Sequence, residues 1–246
     1  MSTSFKNIRI VLVRPSRPGN IGAAARAIKN MGFRNLVLID PIEPLHPNAY
    51  EMAYGAKDVL EGAKVYKTLR QAVGRCRYVV GTTARVHKGY GIPAPLAKIS
   101  ADFLRRARLH SVAILFGPES SGLTNEEVAL CQTLVTIPTG TEHTSLNLAQ
   151  AVMAVAYELR RTALEENGAP PGPPKFPPAP IDQREYFYGE LKELLRQIGF
   201  MKGTQGRHIL TDLRRIFNRA DTDEREMRIL RGIIHQVRWS LSQKDR

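Results

Sequence analysis

Three polar clusters in this chain pair groups that carry or stabilise charge with small residues that let a ligand come close. The first is Arg14-Pro-Ser-Arg-Pro-Gly-Asn-Ile-Gly-Ala-Ala-Ala-Arg26, which follows an apolar run and opens a helical pattern. Gly19 and Gly22 allow the backbone to approach a ligand or another chain. Asn20 stands where it can cap the helix, and a helix N-terminus favours an anion. Ala24, Ile28 and Met31 form the helix's apolar stripe. Arg26 lies about 200° from Ile28 at about 100° per residue, so it points away from the core. There it is either an ordinary solvated charge or a group that meets an anionic ligand.

The second cluster is Phe116-Gly-Pro-Glu-Ser-Ser-Gly-Leu-Thr124-Asn-Glu-Glu127. Thr124 and Glu127 have the spacing of a capping box, a structural device. Glu119 sits in the turn after a buried strand, where α/β sheets bind ligands. A carboxylate there serves to engage an amine, to position a hydroxyl, or merely to solvate a loop. The third cluster, Ile137-Pro-Thr-Gly-Thr-Glu-His-Thr-Ser-Leu-Asn147, leads into the long helical pattern LAQAVMAVAYEL. Ser145 is the expected N-cap, and the plain reading of Ser145 and Asn147 is capping. The first cluster also suggests a dinucleotide-binding turn, with Asp40 as the ribose-binding acid. Its glycine spacing is GxxG rather than GxGxxG, and five residues, two of them proline, separate the strand from Gly19, which is too long for a tight pyrophosphate turn.

The elements around these clusters follow from hydrophobic runs. IRIVLV (8–13), NLVLID (35–40), RYVVGTT (77–83), SVAILFG (111–117) and LVTIPTG (134–140) are continuous and β-branched. Strands buried on both faces read this way. Helical patterns at 21–32, 68–75, 100–108, 123–131 and 145–164 lie among them, so residues 1–164 read as an α/β domain with a parallel sheet. Residues 167–181 hold seven of the chain's sixteen prolines, which marks 165–181 as a semi-rigid linker. Patterns at 182–200, 207–220 and 223–241 make 182–246 a small all-α domain.

The formal net charge is +13, divided as +10, −1 and +4 among these three regions. Such an imbalance favours a polyanionic partner, nucleic acid or an anionic membrane. No apolar run approaches the ~18 residues of a membrane span, and Met1–Lys6 is polar, so neither a span nor a signal peptide is expected. Cys76 and Cys131 are the only cysteines, and the six histidines lack ligand spacing. A reduced, cytoplasmic setting and no metal are expected.

Taken in order, GNIGAAAR, FGPESSGLTNEE and IPTGTEHTSLNLAQA resemble the three signature motifs of the SPOUT superfamily, SpoU branch. The flanks LIDP, YGAKDVL and VVGTTAR, and FYGELKELLRQIGF, LRRIF and MRILRGII in the tail, resemble its TrmJ-type tRNA ribose 2'-O-methyltransferases. The resemblance implies a sheet ending in a C-terminal trefoil knot, a homodimer built by the knotted domain, and an active site near the subunit boundary. It implies S-adenosylmethionine as cofactor and, as substrate, the pyrimidine at position 32 of the tRNA anticodon loop. A ribosomal RNA target and an inactive RNA-binding relative are the alternatives. The catalytic arginine maps onto Arg26, with Asn20 in support. Because a guanidinium has a pKa above ~12, a role as general base is costly. Arg26 is better suited to grip a phosphate and the emerging oxyanion, while Glu119, Ser145 and Asn147 arrange the hydroxyl. Cofactor contacts are expected from Thr82, Thr83, Ala84, Gly117, Ile137, Thr144, Ser145 and Leu146. Arg85, Arg207, Arg214 and Arg215 are the expected RNA ligands. With every cofactor residue before 165, a chain cut near Asn167 is expected to keep nearly full cofactor affinity.

Overall fold

A computed structural model describes residues 3–142, 144–165, 176–201 and 205–244. Most of the expected linker, 166–175, and the side chain of Arg207 lie outside the described residues. The first strands are β1 (Ile8–Val13), β2 (Leu36–Ile39), β3 (Lys64–Tyr66) and β4 (Tyr78–Thr82). They are followed by β5 (Ala94–Pro95), β6 (Val112–Phe116) and β7 (Thr133–Thr136). They form one sheet in the order β3-β2-β1-β6-β4-β7-β5, and every pairing is parallel.

Both faces of this sheet are covered, which is why its strands read as unbroken apolar runs. Alternate residues point to opposite faces. Ile8, Ile10, Leu12, Leu36, Leu38, Val80, Ile114 and Phe116 pack on one side. Against them lie α1 (Pro18–Asn30), α5 (Leu96–Leu109) and α7 (Leu148–Glu165). Val11, Val37, Val79, Ala113 and Leu115 face the other side. There they meet α4 (Leu69–Val73) and α6 (Asn125–Val128), the latter a single turn where the pattern at 123–131 suggested a longer helix. Short helices α2 (Pro47–Met52) and α3 (Lys57–Glu61) lie beside α1.

Two helix starts differ from expectation. Proline at the first helical position starts α1 at Pro18, with Arg17 as N-cap and no side-chain cap. Asn20 therefore lies inside the first turn, and its amide is free for other work. At α7, Asn147 rather than Ser145 caps the helix, its Oδ1 accepting from the Ala149 amide at 2.9 Å. The Thr124–Glu127 capping box forms as expected.

Gly22 serves packing within the chain. A Cβ there would lie 2.0 Å from the Ala49 carbonyl oxygen of α2, a backbone atom that yields only if the helices separate. Gly22→Ala is expected to lower stability by about 2–3 kcal/mol, read as a shift in the denaturation midpoint followed by circular dichroism.

Three helices complete the chain: α8 (Ile181–Gln197), α9 (Gln205–Ala220) and α10 (Glu224–Lys244). Phe187, Tyr188, Leu194, Met227 and Ile234 form their core. The tail is tied closely to the sheet domain. Ile181 is buried among Leu69, Val73 and Cys76, and its amide donates to the Cys76 carbonyl at 3.1 Å. Arg77 pairs with Glu224 at 2.7 Å. Arg106 pairs with Asp221 at 2.5 Å and lies over the Tyr78 ring. Arg184, fully buried, donates to the carbonyls of Ala179 and Thr222 at 3.0 Å.

Candidate active site at the carboxyl edge of the sheet

Strands β6, β4 and β7 are neighbours, and their carboxyl ends open onto a pocket of about 300 Å³. Its walls are Thr82–Arg85 after β4, Phe116–Gly122 after β6, and Thr136, Ile137, Thr139 and Thr144–Leu146 after β7, with Leu148 and Ala151 of α7 as an apolar floor. Parallel sheets bind ligands at such strand ends. All eight residues expected to touch a cofactor line this pocket. Phe116, Ser120, Ser121, Gly122, Thr136, Thr139, Leu148 and Ala151 line it as well, and sequence reading did not single them out. Gly117 is required by a close turn: a Cβ there would lie 2.3 Å from the Gly122 carbonyl carbon and the Leu123 nitrogen. Thr82 donates its hydroxyl to the Leu115 carbonyl of the neighbouring β6 at 2.8 Å, and Thr83 to the Arg85 carbonyl within its own loop at 2.9 Å. This steadies the loop after β4.

A chain of hydrogen bonds joins the three polar clusters at the pocket's edge. Asn147 Nδ2 donates to Asn20 Oδ1 at 3.0 Å, and Asn20 Nδ2 donates to Glu119 Oε1 at 2.7 Å. Glu119 Oε2 accepts from the Ser16 amide at 3.1 Å and the Ser16 hydroxyl at 2.9 Å. Each amide is oriented by its partners, since Asn147 Oδ1 is occupied by the helix cap. Partial burial pushes the Glu119 carboxyl up, but the donors from Asn20, its own backbone and Ser16 outweigh it and hold the pKa below the usual carboxylate range. Glu119 is thus a fixed anion at neutral pH, poorly suited to take a proton and well suited to align Asn20.

Sequence reading missed Ser16 and Arg14. Arg14 follows β1 in the left-handed region, φ 45°, and its Nη1 meets Glu127 Oε1 at 2.5 Å. The only signal for either was their place inside the first cluster.

The remaining expected site residues are scattered. Arg26 is exposed on α1, as its helical phase required, and its guanidinium lies 5.8 Å from the Tyr54 ring centre. It does not line the pocket of its own chain. Arg85 does line it. Arg215 is half exposed and pairs loosely with Asp212 at 3.4 Å. Arg214, expected to meet RNA, is instead largely buried: it forks onto both Glu185 oxygens at 2.5 and 2.8 Å and stacks 4.2 Å from the Tyr188 ring centre. An acid on the neighbouring helix consumes it. Among the described residues, no group of three or more His, Cys, Asp or Glu side chains is arranged to hold a metal, and no helix is long and apolar enough to cross a membrane.

Comparison with known proteins places this arrangement. Residues 7–157 match the SpoU rRNA Methylase family, and residues 182–246 match the tRNA methyltransferase TrmJ C-terminal domain. The tRNA (cytidine/uridine/adenosine-2'-O-)-methyltransferase TrmJ of Pseudomonas aeruginosa is 41% identical over 94% of this chain and 93% of its own. The tRNA (cytidine/uridine-2'-O-)-methyltransferase TrmJ of Cronobacter sakazakii is 38% identical over 98% of this chain and 99% of its own. The crystal structure of TrmJ from Z. mobilis ZM4 superposes with a TM-score of 0.78 at 35% identity, covering 94% of this chain and 98% of that one. The chain, from its parallel sheet to its helical tail, belongs to the SpoU rRNA Methylase family and carries the TrmJ C-terminal domain.

Proposed function

We propose that this protein transfers a methyl group from S-adenosylmethionine to a ribose 2'-hydroxyl of tRNA, at the pyrimidine in position 32. The observation that carries this reading is the 38–41% identity to tRNA 2'-O-methyltransferases over nearly the full length, together with the ordered Asn147–Asn20–Glu119 chain at the pocket edge. The pocket fits the cofactor: about 300 Å³ is at the lower end of small-ligand sites, Leu146, Leu148 and Ala151 offer apolar contact, and the strand-end loops offer backbone groups to an adenosine and an amino acid. When bound, S-adenosylmethionine supplies an electrophilic sulfonium methyl.

The chain's own residues deal with a neutral, weak nucleophile. Positioning and stabilisation of the developing alkoxide supply the acceleration. Asn20, held by Glu119, and Ser145 with Asn147 orient the hydroxyl. Arg26 neutralises the neighbouring phosphate and the emerging oxyanion. Because Arg26 faces away from its own pocket, a homodimer built by the knotted domain is what brings it to a partner's pocket. Exposed apolar residues in α2, next to it and in α7 support such an interface: Met52, Tyr54 and Tyr157 are 45%, 76% and 56% exposed. Light scattering on active enzyme should give twice the chain mass, and an active monomer would sink the dimer. The chain after β6 or β7, at the C-terminal end of the sheet, is read as the trefoil knot, and the place of β6 between β1 and β4 is compatible with it.

The tRNA surface includes Arg85 at the pocket and Arg215 on α9, in a cytoplasmic setting. Ribosomal RNA is the second reading, favoured by the family description alone. With about four phosphate contacts, the Kd for tRNA should rise about 10²-fold between roughly 50 and 200 mM salt; filter binding with a flat response would remove phosphate from the account. Position and substrate are tested with an unmodified tRNA carrying a 2'-deoxy nucleotide at position 32. Methyl transfer should vanish on that RNA and persist on the all-ribo control; equal transfer to both would place the target elsewhere.

A further inference from the structure

We propose that Ser16, on the loop leaving β1, is a positioning residue that sets the orientation of Glu119 and, through it, of the Asn20 amide. This rests on the methyltransferase reading for its kinetic consequence, but not for the geometry. Glu119 lies in the turn after β6, a different strand from the Asn20 helix, so nothing in its own loop fixes it against α1. Ser16 does so with two bonds to one oxygen, amide and hydroxyl both to Oε2 at 3.1 and 2.9 Å, leaving Oε1 for Asn20 at 2.7 Å. A carboxylate gripped on one oxygen cannot rotate to swap its oxygens without breaking two bonds.

The loop carrying Ser16 is itself anchored. Arg14 takes the strained left-handed conformation at φ 45°, and its guanidinium pairs with Glu127 at 2.5 Å. Glu127 Oε2 meanwhile accepts from the Thr124 amide at 2.8 Å, so the same acid ties this loop to the start of α6. Strain of this kind persists only where surrounding contacts impose it, and it gathers at functional sites. The charged groups on the elements around Glu119 are Arg14 and Arg17 on the Ser16 loop, Arg26 and Lys29 on α1, Glu126 and Glu127 on α6, and Arg85 across the pocket. Arg14 and Glu127 satisfy each other. That leaves neutral donors, Asn20, the Glu119 backbone amide and Ser16, as the groups that stabilise the anion, in line with its lowered pKa.

The test uses full-length protein labelled with ¹³C at the glutamate carboxyl, Glu119 being assigned by the resonance lost in Glu119→Gln. In Ser16→Ala the Glu119 titration midpoint should move up from its wild-type position, and in Ser16→Thr it should return, because the hydroxyl is restored. Identical midpoints in all three proteins would overturn the proposal, whether or not the protein methylates RNA. In the kinetic arm, Ser16→Ala should lower kcat about five-fold, the effect of one hydrogen bond to a charged group discounted for its exposure. In a Glu119→Ala background the same substitution should change kcat less than two-fold. An equal loss in both backgrounds would show that Ser16 acts on the fold rather than through Glu119. Absence of ribose methylation by wild-type protein would count against the proposed function alone.

Discussion

Arg26→Ala is expected to fold normally, to bind S-adenosylmethionine with unchanged affinity, and to lose methyl transfer by about 10²-fold or more. The first two expectations follow from position. The side chain is exposed on the outer face of α1, opposite Ile21, Ala24 and Ile28, and its guanidinium meets the ring of Tyr54. Truncating it opens no cavity and leaves no buried partner. The third follows from chemistry. A ribose hydroxyl becomes an alkoxide-like oxygen as it attacks, next to a phosphate that is already negative. A fixed guanidinium meets both with parallel donors, and its loss removes stabilisation that exists chiefly in the transition state. Lysine keeps the charge without the fork, so Arg26→Lys should recover only part of the rate. Single-turnover methylation at saturating tRNA reads this directly; a loss of only a few-fold would remove Arg26 from the reaction.

The second large effect is expected from a chain that ends at Glu165. Methylation of full-length tRNA should fall by about 10²-fold or more, since the tail carries a net +4 and its phosphate contacts go with it. The fold changes what else is lost. Ile181 fills the second face of the sheet beside Leu69 and Val73, and Asn218 and Arg214 of α9 donate to the carbonyls of Cys131 and Ala129 just before β7. The truncated protein should therefore be less stable by about 3 kcal/mol from the vacated apolar site. Its cofactor affinity should weaken several-fold because β7 leads into the pocket, in place of the near-unchanged affinity the sequence suggested. Trp239 is the only tryptophan and leaves with the tail, so unfolding must be followed by circular dichroism. Full tRNA activity in the shortened chain would make the tail mere packing.

The five strands seen in the sequence were legible because a strand buried on both faces must be apolar throughout, as IRIVLV and VAILF are. β3, Lys-Val-Tyr, and β5, Ala-Pro, escaped because an edge strand of two or three residues leaves no such run. The order of strands was not legible, since nothing in VAILF says that it inserts between β1 and β4. The pocket was legible through its motifs: small and hydroxyl residues at strand ends mark where backbone meets ligand, and all eight expected contacts line it. The helix starts were misplaced because Pro18 begins α1 one turn early and releases Asn20 from capping to hold Glu119. The pairing of Arg214 with Glu185 was not legible for a general reason. The charges on one helix do not reveal the acids of its neighbours, and Glu185 lies 29 positions away.

The account stands most directly on the identity of the modified atom. tRNA transcribed without modification should be incubated with the enzyme and S-adenosylmethionine, digested to nucleosides, and analysed by mass spectrometry with fragmentation that separates ribose from base. The account predicts one new species, a 2'-O-methylated pyrimidine nucleoside with the added methyl on the sugar fragment, mapping to position 32 and absent with Arg26→Ala. A methyl on the base fragment, or no methylated product while S-adenosylmethionine binds, would contradict it.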